Sequence, residues 1–259
     1  MPSSEEETVL VTGAAGGIGS AVVRRLAEEG YRVAAADLDG TAATDLARGL
    51  SARGHRVEAH RVDVADEDDV EALVRAVEEG PGELRSVVNV AGVLRWGPAT
   101  ASSSRDWRRV FDVNALGVFH VCRAAARRMI PRGGGSIVTV GSDAGTVPRA
   151  GMSAYAASKA AAAHFTRCLG LELAPHRIRC NIVSPGATDT EMSRARWGGS
   201  DRLHPAIAGV PEEFRAGIPL GRLARPEDVA DAVAFLCSPR AAHITLHDLR
   251  VDGGAGLGS

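Results

Sequence analysis

The stretch TVLVTGAAGGIG, residues 8–19, decides the fold. TVLV (8–11) has the aliphatic and β-branched composition of a buried strand, and it runs directly into Gly13, Gly17 and Gly19, spaced GxxxGxG. Missing side chains let the backbone turn tightly and lie against a pyrophosphate. The first turn of a following helix, read over residues 17–29 and including Ile18, offers free N–H groups to it. The spacing differs from GxGxxG and points to a particular subgroup of dinucleotide binders. A glycine-rich turn serving only strand–helix packing is the plainer reading, and a second element weakens it. Asp37 ends the next strand, RVAAAD (32–37). An acid about 20 residues after the glycines accepts hydrogen bonds from an adenosine ribose. It also repels a 2′-phosphate, and neither Ala14, Ala15 nor Leu38 offers a positive charge to receive one. The cofactor predicted is NAD, not NADP.

Outward from this unit, short apolar strands alternate with amphipathic segments. Helix is read over 41–50, strand over 56–63, and helix over EDDVEALVRAVEE with Asp66 as N-cap. SVVN (86–89), SIVTV (136–140), RCNIVS (179–184) and LRV (249–251) read as strands. Helices start near Trp107, near Ser153 and at Pro226, where Glu227 and Asp228 fill the first turn. Alternation with strands apolar on both faces implies an α/β fold: a single-domain, Rossmann-type doubly wound parallel sheet with helices on both faces. Ligands then bind beyond the carboxyl ends of the strands.

The bulk properties narrow the partners. The 259 residues show no linker and no internal repeat, so residues 8–259 are read as one domain behind an acidic tail, 1–7. Thirty basic against 32 acidic residues give a net charge of −2, which points to neither nucleic acid nor an anionic membrane. Arg108-Arg109 and Arg127-Arg128 read as solvated helix faces. The N-terminus MPSSEEET lacks the features of a signal peptide, and no apolar run reaches membrane-span length. Cys122, Cys168, Cys180 and Cys237 are scattered, and read as buried, reduced thiols of a cytoplasmic protein. The eight histidines show no ligand spacing, so no metal is expected.

The segment SDAGTVPRAGMSAYAASK (142–159) collects the reactive groups. Tyr155 and Lys159 are four residues apart and share a helix face. A free phenol, with a pKa of about 10, is a poor base at neutral pH. A nearby ammonium and an oxidised nicotinamide both favour the phenolate and would lower that value toward the working range. Ser142, just past a strand end, is placed to hydrogen-bond the substrate oxygen that Tyr155 deprotonates.

TGAAGGIG, Asp63-Val64, NVAG (89–92), Asn114, Ser142, YAASK (155–159), PGATDT (185–190) and VDGG (251–254) together resemble the short-chain dehydrogenase/reductase family over nearly the whole chain. The resemblance implies a catalytic tetrad of Asn114, Ser142, Tyr155 and Lys159, with Asn114 holding a water that relays protons from Lys159. It implies that Asp63 and Val64 border the adenine, that Asn89, Ala91 and Gly92 line the cofactor, and that Pro185, Gly186, Thr188 and Thr190 hold the nicotinamide side. Val90 stands where the family more often has asparagine. The main rival of another class is a non-catalytic NAD-sensing protein on the same fold; such modules usually lose the tyrosine–lysine pair.

AGVLRWG (91–97), RCNIVSPGATDTEM (179–192), FRAGIPLG (214–221) and HITLHDLRVDGG (243–254) narrow the resemblance to the 2,3-dihydro-2,3-dihydroxybenzoate dehydrogenases of catechol-siderophore pathways. That resemblance implies a small anionic cyclic substrate, with Arg149 placed to bind its carboxylate. Read more plainly, Arg149 is a surface arginine after Pro148, and Arg95 is a second basic candidate. Leu94, Trp96, Met152, Met192 and Trp197 could wall a ring-sized pocket, or only fill gaps under a loop. The Gly- and Pro-containing segment at about 191–217 reads as a lid. Gly145-Thr146-Val147 and Ser193 depart from the siderophore pattern. They keep open a substrate with an amine at C2, trans-2,3-dihydro-3-hydroxyanthranilate, used in secondary metabolism such as antibiotic biosynthesis. Finally, the resemblance implies a homotetramer built on the alanine-rich Tyr155 helix and the Trp107 helix.

Overall fold

The computed structural model describes residues 7–197 and 205–258. Most of the acidic tail therefore lies outside the described residues, as do positions 198–204 of the segment read as a lid. Seven strands form one sheet in the order β3-β2-β1-β4-β5-β6-β7. They are β1 (Glu7–Thr12), β2 (Arg32–Asp37), β3 (Val57–Arg61), β4 (Glu83–Asn89), β5 (Gly135–Val140), β6 (Ile178–Pro185) and β7 (Asp248–Val251). Every pairing is parallel. The strand order reverses between β1 and β4, the switch point where the carboxyl ends open a crevice.

Parallel strands are buried on both faces, and β1 shows it: Val9, Leu10 and Val11 are all fully buried. On one side Val9 and Val11 pack with Val22 and Leu26 of α1 (Gly17–Glu28) and with Val229 and Val233 of α9 (Pro226–Cys237). On the other, Leu10 packs with α3 (Glu67–Glu79), α5 (Gly117–Met129) and α6 (Ser153–Leu173), through Val74, Val121 and Leu169 among others. α2 (Gly40–Ser51) begins where the Asp39 side chain accepts from the Thr41 and Ala42 N–H groups, and Asp66 caps α3 in the same way.

One expected element comes out differently. The helix read from Trp107 starts at Ser104, because the Ser103 hydroxyl accepts from the Asp106 N–H at 3.0 Å. It then runs as α4 (Ser104–Phe111), a π-helical turn (Asp112–Leu116) and α5. The extra residue per turn falls on Asn114, a placement common at functional sites. Two shorter helices, α7 (Glu191–Trp197) and α8 (Pro205–Ala208), flank 198–204. Cys122, Cys180 and Cys237 are buried, as expected, but Cys168 is exposed on α6. No helix among the described residues is long and apolar enough to cross a membrane.

Candidate active site

A cleft of about 640 Å³ lies along the carboxyl edge of the sheet, bounded by the glycine turn, Asp37, Asp63, Ser142, Tyr155 and the 185–193 segment. At its dinucleotide end two glycines are required. Gly13 has φ +67°, and a Cβ there would sit 2.5 Å from the Ala91 nitrogen; a Cβ on Gly19 would sit 1.9 Å from the Gly13 carbonyl oxygen. No side chain fits either contact, so the turn leaves a bare backbone cradle before α1. Asp37 reaches back to the turn: its carboxylate accepts from the Ala15 N–H at 2.9 Å and from the Asp39 N–H at 3.0 Å. Asp37 thus shapes the loop as well as lining the cleft. Ala15 itself acts through that N–H and does not line the cleft. The cradle, the strand-end acid and the cleft between them fit a nicotinamide dinucleotide.

Asp63 and Val64 line the cleft as expected, and so does Arg109, whose guanidinium lies 3.7 Å from the Asp63 carboxylate. Arg109, read as part of a solvated helix face, is 42% exposed and also borders the cleft from α4 beside Asp63. Asn89 is corrected. Its side chain is buried and donates to Cys122 Sγ and Thr139 Oγ1, tying β4 to β5 and α5, and it does not line the cleft. Leu38, Ala91, Gly92, Pro185, Gly186, Thr188 and Thr190 do line it.

At the catalytic end, α6 presents Tyr155 and Lys159 one turn apart, with the Lys159 ammonium 5.8 Å from the phenol ring centre. Lys159 is 5% exposed and donates to the Val140 carbonyl at the end of β5 at 2.7 Å. Asn114 is fully buried. Its Oδ1 accepts from the Val93 N–H at 2.8 Å, and its Nδ2 donates to the Val93 carbonyl at 2.9 Å and to Ser158 Oγ at 3.0 Å. Both polar atoms of that side chain therefore hold the chain after β4 against α6. The Asn114 side chain does not line the cleft.

Burial decides the protonation of the protein's own groups. It pushes the Tyr155 phenol up to about 12, with a hydrogen bond from Ser142 lowering it and the charge of Asp143 raising it. Burial also pulls the Lys159 ammonium down to about 8. In the cofactor-free protein burial thus raises the phenol and outweighs the lysine, which leaves the expected lowering to the oxidised nicotinamide. Tyr31 and Tyr155 are the two tyrosines of the chain, and burial also pushes the Tyr31 phenol up to about 12. An absorbance titration of the cofactor-free protein should therefore show no phenolate step near pH 10. Adding NAD should bring one step downward, and that step should be missing in Tyr155→Phe. A phenolate step at about 10 without cofactor would contradict the burial account.

The substrate end holds Leu94, Trp96, Arg149, Met152 and Met192 together around Ser142. The Trp96 ring lies against Gly151, whose Cβ position is 3.5 Å from it. Arg95 is excluded from this group: its side chain is 65% exposed and faces Asp106 at 3.6 Å, outside the cleft. Trp197 ends α7, and its side chain lies outside the described residues. Sequence reasoning missed Asp143. It is buried, lines the cleft, and pairs with Arg149 at 2.7 Å, with both side chains less than 10% exposed. An acid directly after Ser142 was the available signal. The segment read as a lid contributes Glu191, Ser193 and Arg215 to the lining.

A strand-end serine, a tyrosine–lysine pair on the next helix and a glycine cradle at the switch point define a nicotinamide-dependent oxidoreductase. The chain belongs to the short-chain dehydrogenase/reductase family. The family described as enoyl-(acyl carrier protein) reductase matches residues 13–256. The chain is 48% identical over 254 residues to a 2,3-dihydro-2,3-dihydroxybenzoate dehydrogenase of Bacillus subtilis, covering 98% of this chain and 97% of that one. It is 40% identical to the Escherichia coli enzyme of the same name, covering 98% of each. A solved gluconate 5-dehydrogenase from Burkholderia cenocepacia, in complex with NADP and tartrate, is similar with a TM-score of 0.89 and 31% identity, covering 97% of this chain and 95% of that one. The chain is accordingly an oxidoreductase acting on a CH–OH group.

Proposed function

We propose that this chain carries out the NAD-dependent oxidation of the C3 hydroxyl of a 2,3-dihydro aromatic acid, with 2,3-dihydro-2,3-dihydroxybenzoate as the substrate. The observation that carries the reading is Arg149, a buried guanidinium in the wall of the cleft that holds Ser142 and Tyr155. The relatives named for that reaction support it. Through Nη2 Arg149 pairs with Asp143, and the guanidinium has further N–H donors for a carboxylate. A ring acid anchored there presents its C3 hydroxyl to Ser142 and Tyr155. NAD supplies the hydride acceptor and a positive charge that favours the phenolate.

Tyr155 then takes the hydroxyl proton as the C3 hydrogen leaves as hydride. Ser142 steadies the developing carbonyl oxygen. The dienone left behind tautomerises to the aromatic ring, which draws the oxidation forward. Lys159 keeps the phenol oriented from the same helix face. Asp37, with no cation on Ala15 or Leu38 to offset it, supports NAD over NADP. A homotetramer packed through α6 and the Trp107 helix, α4 with its continuation into α5, belongs to the same reading, and sedimentation at micromolar concentration distinguishes it from a monomer.

A second substrate, trans-2,3-dihydro-3-hydroxyanthranilate, presents the same C1 carboxylate and C3 hydroxyl with an amine at C2. It is favoured by the acid beside Arg149. The deciding assay follows reduced cofactor with each acid and with NAD or NADP. The expected result is turnover with NAD at least about tenfold faster than with NADP, a difference of ~1.4 kcal/mol. Asp37→Ser should narrow that preference. An enzyme that works equally well with NADP would overturn the cofactor assignment, and failure with both acids would overturn the substrate class.

A further inference from the structure

The wall of the cleft carries three consecutive groups in a fixed order. Ser142 donates to Asp143 Oδ1 at 3.3 Å, and Asp143 Oδ2 accepts from Arg149 at 2.7 Å. In the proposed reaction the C3 hydroxyl faces Ser142 and Tyr155, and the C1 carboxylate faces Arg149. The ring atom between them is C2, and the residue between the two protein groups is Asp143. We propose that Asp143 reads the substituent at C2, and that its carboxylate gives the cleft a preference for a protonated amine there over a hydroxyl. The proposal rests on the C3 oxidation of a ring acid assigned above and moves the preferred substrate from the acid with a C2 hydroxyl to the one with a C2 amine.

Charge supports the preference. Arg149 and Asp143 together form a buried neutral pair rather than a lone cation. A substrate bearing only a carboxylate finds one opposite charge and, next to it, one like charge. A zwitterion with carboxylate on C1 and ammonium on C2 meets an opposite charge at each position. Asp143 has the capacity for this contact, since an ionised carboxylate offers about four acceptor sites and two are used here. Burial strengthens the discrimination, because a charge in the wall of a cleft is poorly screened by water.

The test separates reading from mere support of Arg149. The enzyme–NADH complex is titrated with two non-reacting analogues, 2-aminocyclohexanecarboxylate and 2-hydroxycyclohexanecarboxylate. The same titrations are made on Asp143→Asn, which keeps the shape and removes the charge. The wild type should bind the amino acid more tightly. The variant should lose about tenfold or more in affinity for it, the scale of one charge-assisted hydrogen bond, and should bind the hydroxy acid as well as before or better. If both analogues weaken together, Asp143 only positions Arg149 and the proposal falls. A wild type that favours the hydroxy acid also overturns it, and that comparison needs no variant to fold. Turnover of the two ring substrates is measured alongside. Failure there removes the assigned reaction, while the analogue titrations still decide the role of Asp143.

Discussion

Tyr155→Phe lowers turnover by about 10²- to 10⁴-fold, the usual contribution of a positioned proton acceptor, and leaves cofactor binding intact. The substitution removes one oxygen and keeps the ring that packs beside Lys159. The cradle formed by Gly13 and Gly19, and the Asp37 carboxylate that braces it, lie at the other end of the cleft. NADH fluorescence titration should therefore give nearly the same dissociation constant for both proteins, while steady-state NADH formation collapses. Among the described residues, the groups beside the phenol are poorly placed to replace it. Lys159 is directed at the Val140 carbonyl, and Ser142 is a poor base. A Phe variant keeping more than about a tenth of the activity would reassign the base, since that loss is far below what proton transfer contributes.

Arg149→Leu acts on both folding and binding. Asp143 and Arg149 are less than 10% exposed, so this is a buried ion pair and not a screened surface contact. Removing one partner of such a pair leaves an uncompensated buried charge, at a cost of roughly 3–5 kcal/mol. Urea unfolding of the cofactor-free variant should show a loss of that size, and the double variant Arg149→Leu with Asp143→Leu should recover much of it. In catalysis, loss of a charge-assisted bond to the substrate carboxylate should raise KM by about ten- to hundredfold. kcat should change little if ground and transition states are held alike. An Arg149→Leu protein as stable as the wild type would show that Asp143 does not depend on this arginine. An unchanged KM would remove Arg149 from substrate binding.

The two predictions draw on different information. That Tyr155 and Lys159 share a face follows from a four-residue spacing on a helix, a local relation that any chain of this sequence carries. The Asp143–Arg149 pair is not of this kind. The two are six positions apart along a loop that includes Gly145, Pro148 and a 3₁₀ turn at Asp143–Gly145 and follows no single repeat, so their side-chain directions cannot be read from spacing. The same reason explains Arg109 and Arg95. Both are arginines near helices or loops after β4, yet one faces Asp63 in the cleft and the other faces Asp106 outside it. Asn89 shows the converse: the motif places it at a strand end, but packing against Cys122 and Thr139 turns its side chain into the sheet's own core.

Legible in the sequence were the strand–helix alternation, the glycine cradle with Asp37 at the second strand end, and the placing of Ser142 just past a strand end with Tyr155 and Lys159 on one face of the next helix. Each rests on backbone geometry with a short, fixed period or on a residue type that the geometry demands. Only the tertiary structure decided that Asn114 sits in a π turn gripping Val93, that burial holds Tyr155 near 12 and Lys159 near 8, and that an acid stands between Ser142 and Arg149. These depend on which distant segments meet and how much water they exclude. Such quantities are set by the packing of the whole chain: a short stretch shows that an acid follows Ser142, but not what that acid meets.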